Sequence, residues 1–67
     1  MDLKGEVAEM ARRVWHALNN EGPQTLVRLK KKLNATSDMV SFGVGWLARE
    51  DKVLINQDKR TLRIQLS

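Results

Sequence analysis

Gly43-Val44-Gly45-Trp46-Leu47-Ala48-Arg49-Glu50-Asp51-Lys52-Val53-Leu54 decides how this chain is read. The stretch runs from the second half of a helix, through a charged exit, into the first step of a strand. A helical pattern that drops at once into a β-branched run means that a helix hands the chain to a hairpin. What lies upstream must then be the scaffold for that helix, and what lies downstream the hairpin.

Downstream, Val53 and Ile55 share one face of a strand. A turn is expected over Asn56-Gln57-Asp58-Lys59, after which Thr61, Arg63 and Gln65 alternate with Leu62, Ile64 and Leu66. Period-two alternation around a polar turn predicts a hairpin with one buried face. Upstream, Leu3, Val7, Met10, Val14 and Leu18 recur at spacings of three and four, which predicts an amphipathic helix capped by Asp2. Glu9 and Arg13 are spaced to pair across one turn of it. Asn19-Asn20-Glu21-Gly22-Pro23 ends it, because Pro23 cannot continue a helix. Gln24-Thr25-Leu26 reads as a short extended stretch able to join the hairpin. A second helix follows from about Val27 to Leu33, with Leu26, Leu29 and Leu33 inward. After Asn34-Ala35 turns the chain, Thr36 or Ser37 caps the third helix, and Asp38 suits its positive end. The order helix, short strand, helix, helix, strand, strand is that of an α+β winged helix-turn-helix, filling residues 1–67 as one domain.

At 67 residues such a domain buries only about 60% of its unfolded surface, so its stability is expected to be modest. With no cysteine it has no disulfide and no thiolate metal site. No run approaches the roughly 20 apolar residues of a membrane span, and no signal-peptide pattern is present; a cytoplasmic protein is expected. The net charge is +4, unevenly placed: residues 22–36 contribute +4 through Arg28, Lys30, Lys31 and Lys32, residues 53–67 contribute +2, and the other two segments are each net −1. Basic charge gathered on the second helix and the hairpin is the electrostatic footprint of a polyanion binder, although a lysine-rich solvated face gives the same pattern.

Trp15, the run Leu29-Lys30-Lys31-Lys32-Leu33 and above all Gly45-Trp46-Leu47-Ala48-Arg49-Glu50-Asp51-Lys52 give the chain a resemblance over nearly its whole length. It resembles a family of small, stand-alone winged helix-turn-helix domains of uncharacterised function. The resemblance implies the fold, a presumed DNA-binding role and homodimers; it brings no functional residues to transfer. The chain departs from the pattern at Val27, where a polar cap is expected.

In a helix-turn-helix the second helix of the motif enters the major groove and reads base edges with Arg, Lys, Asn, Gln or acidic side chains. Laid out at 100° per residue, the third helix here is apolar over roughly 240°. The remaining face holds Asp38, Ser41, Gly45 and Arg49, a poor set for reading sequence. It is a better packing helix. Gly43 and Gly45 each cost about 1 kcal/mol against alanine, which a close backbone approach would offset. The expectation is that the second helix nests on these glycines and that Trp46 packs on Trp15. An arc this broad also leaves Met39, Phe42, Gly45 and Trp46 as candidates for a homodimer interface. Nucleic-acid contact then falls to Arg28, Lys30, Lys31 and Lys32 on the second helix, Lys59, Arg60 and Arg63 on the wing, and the hydroxyls of Ser37 and Ser41. These are phosphate contacts, so binding to double-stranded DNA is expected to be weak, nonspecific and salt-dependent. The alternative is a protein-interaction module with no nucleic-acid role.

No enzyme is expected. His16 is the single histidine, with no cysteine or tyrosine to join it, and catalysis needs a positioned partner. Gly43-Val44-Gly45 lies within a helix and not in a phosphate-binding loop. No cofactor, metal or small-molecule substrate is implied.

Overall fold

The computed structural model describes residues 2–67. The elements are α1 (Leu3–Glu21), β1 (Gln24–Thr25), α2 (Leu26–Leu33), α3 (Ser37–Arg49), β2 (Val53–Asp58) and β3 (Thr61–Leu66). The three strands form one antiparallel sheet in the order β1-β3-β2. Val14, Leu18, Leu29, Val40 and Ile64 are its most deeply buried side chains, one or two from each helix and one from the central strand. No described helix is long and apolar enough to cross a membrane.

Asp2 stands at the start of α1, but its side chain makes no capping hydrogen bond. The Glu9–Arg13 pair does not form. Glu9 meets Arg12 instead, at 3.9 Å on an exposed surface, where such a pair contributes little. Arg13 turns away to α2, and its Nη2 donates to the Leu33 carbonyl at 2.7 Å. That carbonyl belongs to the last turn of α2 and has no partner within the helix. Arg13→Ala is therefore expected to destabilise the domain by about 1 kcal/mol, read as a lower urea midpoint at unchanged slope.

Two helices end in the same way. At α2, Asn34 takes left-handed backbone (φ 51°), its N–H donates to Lys31 O and that of Ala35 to Lys30 O, both at 3.2 Å. At α3, Asp51 is left-handed (φ 59°), its N–H donates to Ala48 O at 3.1 Å and that of Lys52 to Leu47 O at 2.9 Å. Asn and Asp tolerate this conformation better than other non-glycine residues. The charged exit Arg49-Glu50-Asp51-Lys52 is thus a helix stop that turns the chain directly into β2.

The starts of α2 and α3 are also alike. Thr25 Oγ1 accepts from Arg28 N–H, and Thr36 Oγ1 from Met39 N–H, each at 3.2 Å. Thr36 and not Ser37 is the cap of α3. Helix α2 begins at Leu26, one residue before the expected Val27, because the cap is Thr25; Val27 is an exposed first-turn residue.

The hairpin turn is displaced from its expected place. Asn56, Gln57 and Asp58 belong to β2, paired with Arg63, Leu62 and Thr61, and only Lys59 and Arg60 turn. Lys59 alone of the two has positive φ (59°), the feature of a two-residue hairpin turn strained at its first position. The turn-forming residues Asn56 and Asp58 misled the sequence reading; register is set by Val53 and Ile64, which face the core. Burial stops there. Ile55 shares that face, but it is 43% exposed and its neighbour Leu62 37%, because the hairpin extends past the helices.

Helix α3 packs on α1 and not, at its glycines, on α2. A Cβ on Gly43 would lie 3.1 Å from the backbone nitrogen of Ala11 and 3.0 Å from Met10 Cγ. Gly45 faces open space, with nothing within 4 Å of such a Cβ. Trp15 and Trp46 are both half-buried against the core and line one surface cleft of about 320 Å³. They are not a ring pair; Trp15 meets His16 edge-on at 5.3 Å.

Candidate nucleic-acid interface

The sheet brings the two basic segments together. Thr25 of β1 pairs with Arg63 of β3, and Asn56 of β2 pairs with Arg63 from the other side. Ile64 points into the core, so Arg63 and its two neighbours lie on the outer face, by strand alternation. One turn beyond Thr25, Arg28 extends back, its Nε donating to Gln24 Oε1 at 3.4 Å. Gln24 is the one buried polar side chain among the described residues, so this bond satisfies it and positions Arg28. Arg28 and Arg63 are thus both tied to the two-residue strand β1, one through Gln24 and the other through its pairing with Thr25.

Lys30 and Lys31 lie exposed in the last turn of α2, where cations oppose the negative end of the helix dipole. Lys32 differs from them, because it forms an ion pair with Glu21 at the end of α1. Lys59 and Arg60 form the wing tip, about 20 Å along the hairpin from Val53 at the strand rise of ~3.4 Å per residue. None of Arg28, Lys30, Lys31, Lys59, Arg60 and Arg63 is in an ion pair among the described residues. The triplet of lysines therefore supplies two unpaired charges.

Ser37 and Ser41 are exposed on α3, Ser37 at its first position. The outward face of α3 comprises Asp38, Ser41, Phe42, Gly45 and Arg49. Of the four residues expected at an interface, Met39 and Trp46 are half-buried against the core, Gly45 is open, and Phe42 is 52% exposed. Asn56 and Thr25 are neighbours of Arg63 that the sequence does not reveal, because Asn56 has the local character of a turn residue. Correct strand register is the signal that would have found them.

His16 is exposed and faces Trp15. Among the described residues no group of three or more His, Cys, Asp or Glu side chains could hold a metal. The element order and the three-stranded sheet are those of a winged helix-turn-helix.

The chain belongs to the winged helix-turn-helix domain family DUF2582, whose profile matches residues 1–66. It is 34% identical over 68 residues to the uncharacterised protein MJ1608 of Methanocaldococcus jannaschii, covering 97% of this chain and 96% of that one. Its structure is similar to the solution NMR structure of protein BT2368 from Bacteroides thetaiotaomicron, with TM-score 0.86, 35% identity, and coverage of 97% of this chain and 79% of that one. It also shares its fold with the Zalpha domain of Carassius auratus PKZ, solved in complex with Z-DNA, at TM-score 0.80, 18% identity, and coverage of 91% and 97%.

Proposed function

We propose that this domain binds double-stranded DNA through its phosphates, with little sequence readout. The observation that carries the reading is the placement of charge. Six cations unpaired among the described residues lie on α2 and the wing, while the outward face of α3 holds one arginine, at its far end, and no Asn, Gln or Lys. Phosphate contacts position a protein, and base-edge contacts specify sequence; this surface supplies the former. The Zalpha domain shows that a winged helix of this shape can meet a duplex. At 18% identity the likeness carries the fold and not the binding of Z-DNA.

The test is a titration with random-sequence duplex at several salt concentrations. Engagement of four to six cations predicts a slope of log K against log [salt] of about −4 to −5. A flat slope, or tight binding to one sequence that survives high salt, refutes this assignment.

A second reading rests on Phe42. An aromatic ring half exposed on a helix, beside half-buried Met39 and Trp46, also suits contact with another protein. Under that reading Phe42→Ser, which removes the ring without adding charge, abolishes partner binding and leaves DNA affinity within about twofold, since the ring makes no phosphate contact.

A further inference from the structure

The outer strand β2 has no strand on its far side among the described residues. Which of its backbone groups face outward follows from the register. Ser67 N–H donates to Lys52 O at 3.1 Å, and the two-residue turn closes on Asp58 and Thr61. Hydrogen-bonded and non-bonded pairs alternate along an antiparallel ladder. Lys52, Leu54, Asn56 and Asp58 therefore direct their N–H and C=O groups at β3, and Val53, Ile55 and Gln57 direct theirs away.

Monomeric proteins usually blunt such an edge with lysine, proline, a bulge or a covering loop. Val53-Leu54-Ile55-Asn56-Gln57 has no charge and no proline. Every residue after Val53 is exposed, with Leu54 at 50% on one face and Ile55 at 43% on the other. The charges stand at its two ends and are opposite in sign, Lys52 before the strand and Asp58 at its close.

The geometry points to a second copy of this chain as the occupant of this edge. Two β2 strands pair antiparallel about a two-fold axis at Ile55 and join two three-stranded sheets into one. Only registers that oppose odd-numbered residues use the outward groups. The register centred on Ile55 sets it against the partner's Ile55, with hydrogen bonds in both directions, and Val53 against the partner's Gln57. Val53 is itself buried, so Ile55 and Gln57 supply the accessible part of the edge. The same register sets Lys52 opposite the partner's Asp58, on one sheet face, twice by symmetry; Lys52 Nζ lies 3.5 Å from Glu50 Oε1 within its own protomer, so the partner's carboxylate joins an existing surface pair. Of the two neighbouring permitted registers, one sets Lys52 opposite the partner's Arg60 and Leu54 opposite the partner's Asp58, replacing attraction by repulsion, and the other sets Lys52 opposite the partner's Asn56, losing the attraction. This interface lies away from the α2 cations, because α2 follows β1 at the opposite edge of the sheet, and it adjoins the wing cations Lys59 and Arg60, which follow β2 directly.

Light scattering of the full chain over a concentration series tests the interface. The mass is expected to rise from 7.7 kDa toward twice that value. Ile55→Lys, which places like charges across the axis, is expected to raise the dissociation constant at least about tenfold with an unchanged circular dichroism spectrum. Phe42→Glu on α3 leaves it unchanged. Amide exchange gives a second readout in the unaltered protein: the Ile55 and Gln57 amides slow as concentration rises. A chain that remains at 7.7 kDa in an NMR sample overturns the proposal. So does a dimer lost in Phe42→Glu and kept in Ile55→Lys, or one whose Ile55 and Gln57 amides exchange at a rate independent of concentration. Should Ile55→Lys fail to fold, the exchange measurement decides alone.

Discussion

Gly43→Leu is expected to destabilise the domain by at least about 3 kcal/mol, while Gly45→Ala, two residues away, stabilises it. On propensity alone the two glycines are equivalent, each costing about 1 kcal/mol in a helix interior. They differ in what faces them. At Gly43 the space belongs to α1: the backbone nitrogen of Ala11 lies 3.1 Å from a built Cβ and the backbone carbon of Met10 3.2 Å. Backbone cannot rotate aside as a side chain can, so a leucine there separates α1 from α3 along their contact. Overpacking costs 1–3 kcal/mol where side chains can adjust and more where helices must part. A 67-residue domain has roughly 3–10 kcal/mol in all, so the expected loss of at least about 3 kcal/mol removes between about a third and all of it. At Gly45 nothing lies within 4 Å, and alanine gains about 0.5–1 kcal/mol of helix propensity. Urea denaturation followed by circular dichroism measures both. Opposite signs confirm the α1–α3 approach; a Gly43→Leu chain as stable as the parent disproves it.

The Lys30→Gln, Lys31→Gln double variant is expected to lose about a hundredfold in affinity for random duplex at 0.1 M salt. Each phosphate neutralised contributes about 0.9 to the slope of log K on log [salt], or nearly tenfold at that concentration, so two contacts give the product. The same variant should flatten the slope by about 2. Glutamine keeps helix propensity and avoids the acid–dipole conflict that glutamate creates in a last turn. Lys32→Gln is the informative contrast. Its ammonium is paired with Glu21, so its removal changes affinity less than either neighbour does. Arg12→Gln, on α1 beside the Trp15–Trp46 cleft, leaves the affinity unchanged. Equal losses from Lys30, Lys32 and Arg12 would mean that net charge and not this surface governs binding.

Much of the architecture is visible in the one-dimensional pattern. Met10, Val14 and Leu18 at a spacing of four, Leu29 and Leu33 on one side of a short helix, and alternation through Ile64 suffice for three helices and a hairpin, because burial imposes periods of 3.6 and 2 on any chain that folds this way; Leu3 continues the spacing but is exposed. The exit Arg49-Glu50-Asp51-Lys52 is legible for the same local reason, as is the concentration of cations after Pro23.

The remaining features were settled by what each residue meets across the fold, which no local period encodes. Gly43 and Gly45 look alike until α1 is laid on one of them. Arg13 was spaced for Glu9 on its own helix, yet a free carbonyl at the end of α2 offered the better acceptor. Three adjacent lysines became two when Glu21 came within reach of the third. Asn56 left the turn for the strand because Val53 and Ile64 fixed the register from the core. Local sequence determined which elements this protein has and where they stop; the long-range packing of α1, α3 and the sheet decided which charges remain free, which glycine is indispensable and which strand edge stays open. Such contacts depend on distance in space between residues far apart in the chain, and pattern carries no measure of that distance.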